Sequence, residues 1–152
     1  MQQQKTNTTA GQSADPLTSA GFHILLAEDD AAMRQLLEQT LRKNGFFVTE
    51  CKHGIELLAQ LQAHLSYSLP VRYDLAISDI WLPGVSGMSV FEGLHDLEGF
   101  PPMIIITAFG DEETHERARR LGVVAVLDKP FELDLLMEQV HRVAEDNARG
   151  SA

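Results

Sequence analysis

Four apolar runs in this chain of 152 residues end in groups that handle charge. Ile24-Leu25-Leu26-Ala27 leads into Glu28-Asp29-Asp30, and Tyr73-Asp74-Leu75-Ala76-Ile77-Ser78 leads into Asp79. Met103-Ile104-Ile105-Ile106 ends at Thr107, and Val123-Val124-Ala125-Val126-Leu127 ends just before Asp128-Lys129-Pro130. As buried strands, these runs would deliver their ends to the carboxyl edge of a sheet, where open α/β folds place ligands and chemistry. Glu28, Asp29 and Asp79 in one cleft would repel one another and raise each other's pKa unless a cation lay among them. Oxygen-only ligands suit Mg2+, which takes one or two carboxylates, a carbonyl and several waters. Asp79 is then a metal ligand only, or also a nucleophile, since carboxylates attack phosphorus to form acyl phosphates.

Phosphoryl transfer needs positioning and charge neutralisation more than covalent assistance. The chain supplies those parts. A cation would draw charge from one phosphoryl oxygen, the Lys129 ammonium from a second, and the Thr107 hydroxyl with backbone N–H groups would bind a third. Taken singly, each residue has a plainer role: a solvated turn and helix cap at 28–30, a strand-end hydroxyl at Thr107, a surface lysine at Lys129. Their joint placement at consecutive strand ends carries the inference.

The elements that must position these groups follow from two hydrophobic periods. Strands are predicted over His23–Ala27, Phe46–Cys51, Tyr73–Ser78, Pro102–Thr107 and Val123–Leu127. Helices are predicted over Ala31–Asn44, Gly54–His64, Gly87–His95, Asp111–Leu121 and Leu133–Asn147. Their inward faces are Met33, Leu36, Leu37 and Leu41; Ile55, Leu58 and Leu61; Met88, Phe91 and Leu94; and, in the last helix, Leu136, Val140 and Val143. Asp30 caps the first helix and Gly45 stops it. Short apolar strands alternating with helices specify a parallel sheet covered on both faces. Right-handed crossovers leave few topologies, of which the flavodoxin-like doubly wound order 2-1-3-4-5 is the candidate. That order makes the first and third strands neighbours, bringing Glu28 and Asp29 to Asp79.

The length suits one domain. Residues 1–21, rich in Gln, Thr and Ser, read as a disordered extension, 22–147 as the folded domain and 148–152 as a flexible tail. A net charge of -10 argues against direct contact with nucleic acid or an anionic membrane. No apolar stretch approaches the ~20 residues that span a bilayer, and Met1-Gln2-Gln3-Gln4-Lys5 lacks the apolar segment of a secretory signal, so a cytoplasmic location is the default. The single cysteine, Cys51, excludes an internal disulfide and reads as a half-buried strand thiol. His23, His53, His64, His95, His115 and His141 have no metal-site spacing and read as solvated or partly buried.

The runs Ile24–Asp30, Asp79-Ile80-Trp81-Leu82-Pro83-Gly84, Ile106-Thr107-Ala108 and Asp128-Lys129-Pro130-Phe131 resemble the four signatures of a response-regulator receiver domain, over His23 to about Asn147. The order 2-1-3-4-5 is also that family's, so the two fold readings are not independent. The resemblance implies that Asp79 is the phosphoacceptor, charged by a sensor histidine kinase or a histidine phosphotransfer protein. It implies that Glu28, Asp29, Asp79 and the backbone carbonyl of Trp81 hold Mg2+. Thr107 matches the hydroxyl that moves toward the phosphoryl group, with Ala108 beside it, Lys129 matches the lysine that pairs with that group, and the Lys129–Pro130 bond is expected to be cis. The fourth helix, fifth strand and fifth helix are where this family often dimerises, and Arg117, Arg119 and Arg120 lie on that fourth helix as a solvated face or a partner contact.

Two positions depart from the pattern or extend it. Where such domains usually carry a rotating Tyr, Phe or His, this chain has Val126, which has no ring to swing; the Thr107 loop and the helix after it are then the expected readout. Trp81, two residues past the acceptor, is bulky enough to shield an acyl phosphate from water. The loop Ser66–Arg72 is longer than usual for the family and is assigned no role. Two other functions compete with the switch. A Mg2+-dependent phosphohydrolase working through an aspartyl phosphate usually wants a second acid two residues after its nucleophile, where Trp81 stands. An unphosphorylated interaction module would not need Glu28, Asp29, Asp79, Thr107 and Lys129 together. No DNA-binding or catalytic segment is read after Asn147, so either the chain acts alone through protein contacts or it is one domain of a longer regulator.

Overall fold

The computed structural model describes residues 21–68, 72–108 and 110–150. Residues 1–20 of the expected extension, and part of the Ser66–Arg72 loop, lie outside the described residues. The elements alternate as β1 (His23–Ala27), α1 (Ala31–Lys43), β2 (Phe47–Cys51), α2 (Gly54–Leu65), β3 (Leu75–Asp79), α3 (Gly87–Leu94), β4 (Met103–Thr107), α4 (Glu112–Leu121), β5 (Ala125–Asp128) and α5 (Leu133–Gly150). Every strand pair is parallel, and the sheet order is β2-β1-β3-β4-β5, as expected.

Alternation along each strand divides the core in two. Leu25, Ala27, Ala76, Met103 and Ile105 face one side with Leu57, Leu61, Met88, Phe91 and Ala118 of α2, α3 and α4. Ile24, Leu26, Leu75, Ile77, Ile104 and Ile106 face the other with Leu37 and Leu41 of α1 and Leu136, Met137, Val140 and Val143 of α5. Burial on both faces is why the strands read as unbroken apolar runs rather than alternating ones.

The helix ends obey local chemistry. Asp30 caps α1 by accepting the Met33 N–H at 2.9 Å, and Gly45 ends it at φ +90°, a left-handed conformation that favours glycine. Asp111 caps α4 through the Thr114 N–H at 2.8 Å. Two expected inward residues are exposed instead. Leu36 lies about 100° around α1 from the buried Leu37–Leu41 stripe. Ile55 lies across α2 from the buried Leu57–Leu61 stripe. Helix α5 continues past Asn147 through Gly150, where Arg149 pairs with Asp146, so the expected tail is helical over 148–150. Cys51 is buried rather than half-buried. Burial, helped by the Glu56 carboxylate, pushes its thiol up to about 12, which leaves it protonated and inert at neutral pH.

Candidate functional site

The ends of β1, β3, β4 and β5 meet at the carboxyl edge of the sheet. Glu28 extends the β1–β2 ladder by one bond, its N–H donating to the Cys51 carbonyl at 3.0 Å. Its side chain is fully buried. One carboxylate oxygen accepts from Lys129 Nζ at 2.8 Å and the other from the Asp30 N–H at 3.1 Å. Asp79 closes β3 and is 4 % exposed. Its Oδ2 accepts from Lys129 Nζ at 2.7 Å, and its Oδ1 from the Trp81 N–H at 2.9 Å. Asp29 is exposed at the mouth of the cleft. Carboxylate oxygens of Glu28, Asp29 and Asp79 lie within 4.8 Å of one another.

The electrostatics of this cluster are unfinished. Burial is the main force raising the Glu28 pKa, with Asp79 adding to it, against the opposing hydrogen bonds from Lys129 and the Asp30 N–H. Burial also works against the charge on Lys129, but its bonds to Asp79 and Glu28 outweigh that and raise its pKa above the ordinary value. Three carboxylates and one ammonium leave two negative charges in the cleft. A divalent cation with oxygen ligands fits both that charge and that donor set.

Backbone pairing supplies the remaining convergence. Asp79 is opposite Ile106, and Thr107 is opposite Asp128. The ladder continues past both strands: Ile80 N–H donates to the Ile106 carbonyl at 2.9 Å and Lys129 N–H to the Thr107 carbonyl at 2.8 Å. Thr107 is buried and Ala108, next to it, is exposed. The Lys129–Pro130 peptide is cis. Val126 is half-buried against the core opposite Ile105. The Trp81 side chain is 54 % exposed and borders a cavity of about 150 Å3 with Ser86, Ser89, Glu92, Thr114 and Arg117.

Several positioning contacts escape a reading of strand ends. Arg34 of α1 donates Nη1 to the Glu28 carbonyl at 2.8 Å and sets Nε 3.3 Å from Glu50 of β2. Gly87 opens α3 with its N–H on the Ile80 carbonyl, and a Cβ there would lie 2.5 Å from the Asp79 carbonyl oxygen. Only glycine lets α3 start so close to the strand that carries Asp79. A glycine directly after the Ser86 cap was the available signal. His115 and Asp128 pair at 2.8 Å, joining α4 to the residue before Lys129. His64, expected to be solvated or partly buried, is 2 % exposed. Of the arginine cluster, Arg117 pairs with Glu92 of α3, and Arg119 and Arg120 are exposed.

Residues 24–141 match the family described as the response regulator receiver domain. The chain belongs to that family. It is 33% identical over 139 residues to the transcriptional regulatory protein FixJ of Bradyrhizobium diazoefficiens, covering 90% of this chain and 64% of FixJ. It is 32% identical over 127 residues to the C4-dicarboxylate transport transcriptional regulatory protein DctD of Rhizobium meliloti, covering 84% of this chain and 26% of DctD. The receiver thus spans less than two thirds of these relatives. The crystal structure of FixJ-N superposes with a TM-score of 0.68 at 28% identity, covering 82% of this chain and 94% of that one. The receiver domain of a Francisella response regulator, at 24% identity and a TM-score of 0.74 over 84% of this chain and 99% of its own, shares the fold. Receiver domains of response regulators are signalling switches rather than turnover enzymes. Among the described residues no helix is long and apolar enough to cross a membrane.

Proposed function

We propose that this receiver domain is phosphorylated on Asp79 in a Mg2+-dependent reaction, by a sensor histidine kinase or a histidine phosphotransfer protein, and that the phosphorylated form changes its protein contacts. The observation that carries the reading is one ammonium, Lys129, held at 2.7 Å from Asp79 and 2.8 Å from Glu28 inside an all-oxygen acidic cleft. A carboxylate oxygen of Asp79 attacks phosphorus, the P–O bond forms as the P–N bond to the donor imidazole breaks, and the imidazole leaves with the bonding pair. Glu28, Asp29, Asp79 and the Trp81 carbonyl are the groups that would hold Mg2+, which supplies charge neutralisation at the phosphoryl oxygens. Lys129 keeps its charge at neutral pH and turns from the lost Asp79 carboxylate to a phosphoryl oxygen. The Thr107 hydroxyl and the Ala108 N–H take another.

The output surface comprises α4, β5 and α5, with Arg117, Arg119 and Arg120 as its basic contacts and homodimerisation among its uses. Val126 makes the Thr107–α4 segment the carrier of the signal rather than a swinging ring. The phosphohydrolase alternative lacks its second acid, since position 81 presents an indole. The test is incubation with phosphoramidate, or with acetyl phosphate, and Mg2+, followed by intact mass. The wild-type chain is expected to gain one phosphoryl group, and Asp79→Ala or chelation of the metal is expected to abolish the gain. Continuous release of phosphate from many small esters would favour the hydrolase instead.

A further inference from the structure

We propose that Arg34 is a positioning residue for the Mg2+ cleft, holding the Glu28–Asp29 peptide so that Asp29 stays aimed at the ion; this rests on the reading of that cleft given above. Glu28 is anchored on three sides without Arg34: its N–H by Cys51, and its two carboxylate oxygens by Lys129 and Asp30. Its carbonyl is the remaining polar group, and Arg34 Nη1 takes it at 2.8 Å. That carbonyl belongs to the peptide unit that begins Asp29, the exposed acid at the cleft mouth. Releasing it frees the rotation that sets where the Asp29 carboxylate points.

Arg34 is itself held. It sits in the first turns of α1, its N–H on the Asp30 carbonyl at 2.9 Å, and its Nε faces Glu50 at 3.3 Å. Its side chain is largely buried. A planar fork with several donors serves a carbonyl and a carboxylate at once, which a lysine ammonium on a flexible stem does not. Outer contacts that fix metal ligands commonly shift metal affinity by about 10-fold or more when removed.

Charge alone predicts the opposite sign, which makes the inference sharp. A guanidinium beside a cation site repels the cation, so losing it on electrostatic grounds would tighten binding. Losing a positioning contact weakens it.

The experiment titrates Mg2+ against the fluorescence of Trp81, the single tryptophan, whose backbone N–H donates to Asp79. Arg34→Ala is expected to bind Mg2+ about 10-fold more weakly, and Arg34→Lys to recover only a small part of the loss. Phosphorylation by phosphoramidate is expected to return to the wild-type rate at saturating Mg2+, because the defect lies in metal affinity. In metal-free protein the backbone amides of Asp29 and Asp30 are expected to show lowered NMR order parameters in Arg34→Ala. Equal or tighter Mg2+ binding by a folded Arg34→Ala would overturn the proposal. If that variant does not fold, Arg34→Lys and Glu50→Gln decide: wild-type affinity in both overturns it. A wild-type chain blind to Mg2+ would sink the reading of the cleft itself, a result distinct from a wild type that binds and a variant that binds equally.

Discussion

Lys129 and Asp79 stand 50 positions apart in the chain and are joined Nζ to Oδ2 at 2.7 Å. The same ammonium reaches Glu28, 101 positions away, at 2.8 Å. One cation therefore ties the ends of β1, β3 and β5 across the edge of the sheet. Two buried carboxylates share it, and a third waits at the mouth. The shared ammonium offsets part of the like charge gathered there, and the proposed Mg2+ would offset more of it.

Lys129→Ala leaves Glu28 and Asp79 buried without their shared counter-charge. Breaking a buried pair by removing one partner costs about 3–5 kcal/mol, and the open mouth at Asp29 lets water reduce that to about 2 kcal/mol. Urea denaturation is expected to show this loss in chelator and a clearly smaller one at saturating Mg2+. An equal loss in both conditions would mean that the metal does not share the charge of this cleft.

Trp81→Ala is expected to shorten the phosphoprotein lifetime by a few-fold while leaving stability within about 0.5 kcal/mol of wild type, as for a largely exposed side chain. The ring belongs to the second residue past the acceptor and is largely exposed, and its backbone amide stays bonded to the carboxylate whatever the side chain. Decay of the phosphoprotein followed by intact mass measures it. An unchanged half-life would leave the indole as loop packing only.

His64 gives the fold an acid-side weakness away from the chemistry. Its Nδ1 accepts the Tyr73 N–H at 3.0 Å, and its Nε2 lies 2.8 Å from the Gly99 carbonyl, which assigns the ring as neutral with the proton on Nε2. Burial holds its pKa below the ordinary value; the Gly99 carbonyl pulls the other way, and the Arg72 guanidinium adds to the lowering. The unfolded chain titrates near 6.5 and so binds the extra proton first. Stability is therefore expected to fall as pH drops through that range, with the half-buried His23, lowered in the same direction by burial, contributing. Urea midpoints at several pH values between about 7.5 and 5.5 test this. His64→Gln is expected to start less stable and to show a shallower slope; an unchanged slope would assign the acid sensitivity elsewhere.

Legibility in the sequence followed the range of the interaction. The meeting of Glu28, Asp79, Thr107 and Lys129 at one edge was readable because each ends or closely follows an apolar run, and parallel pairing of such runs leaves little freedom in where their ends go. Caps at Asp30 and Gly45 were readable because they act within four residues. Leu36 misled because an apolar side chain one step off a helical stripe looks like part of it, and Ile55 because its i, i+3, i+6 spacing with Leu58 and Leu61 mimics a stripe that the structure sets at Leu57 and Leu61. Arg34 and His64 were missed for a different reason. Their partners, Glu28 and Glu50 for the one and Tyr73 and Gly99 for the other, are fixed only once helices α1 and α2 have docked. Neither residue type nor spacing announces such a bond.

The most direct measurement locates the phosphoryl group. Protein treated with phosphoramidate and Mg2+ is reduced with borohydride, which converts an aspartyl phosphate to homoserine, and its peptides are sequenced by mass spectrometry. The expected result is homoserine in place of Asp79 alone, absent without Mg2+. Homoserine at Asp29 or another acid, or none at all in a protein shown to be folded, would contradict the account.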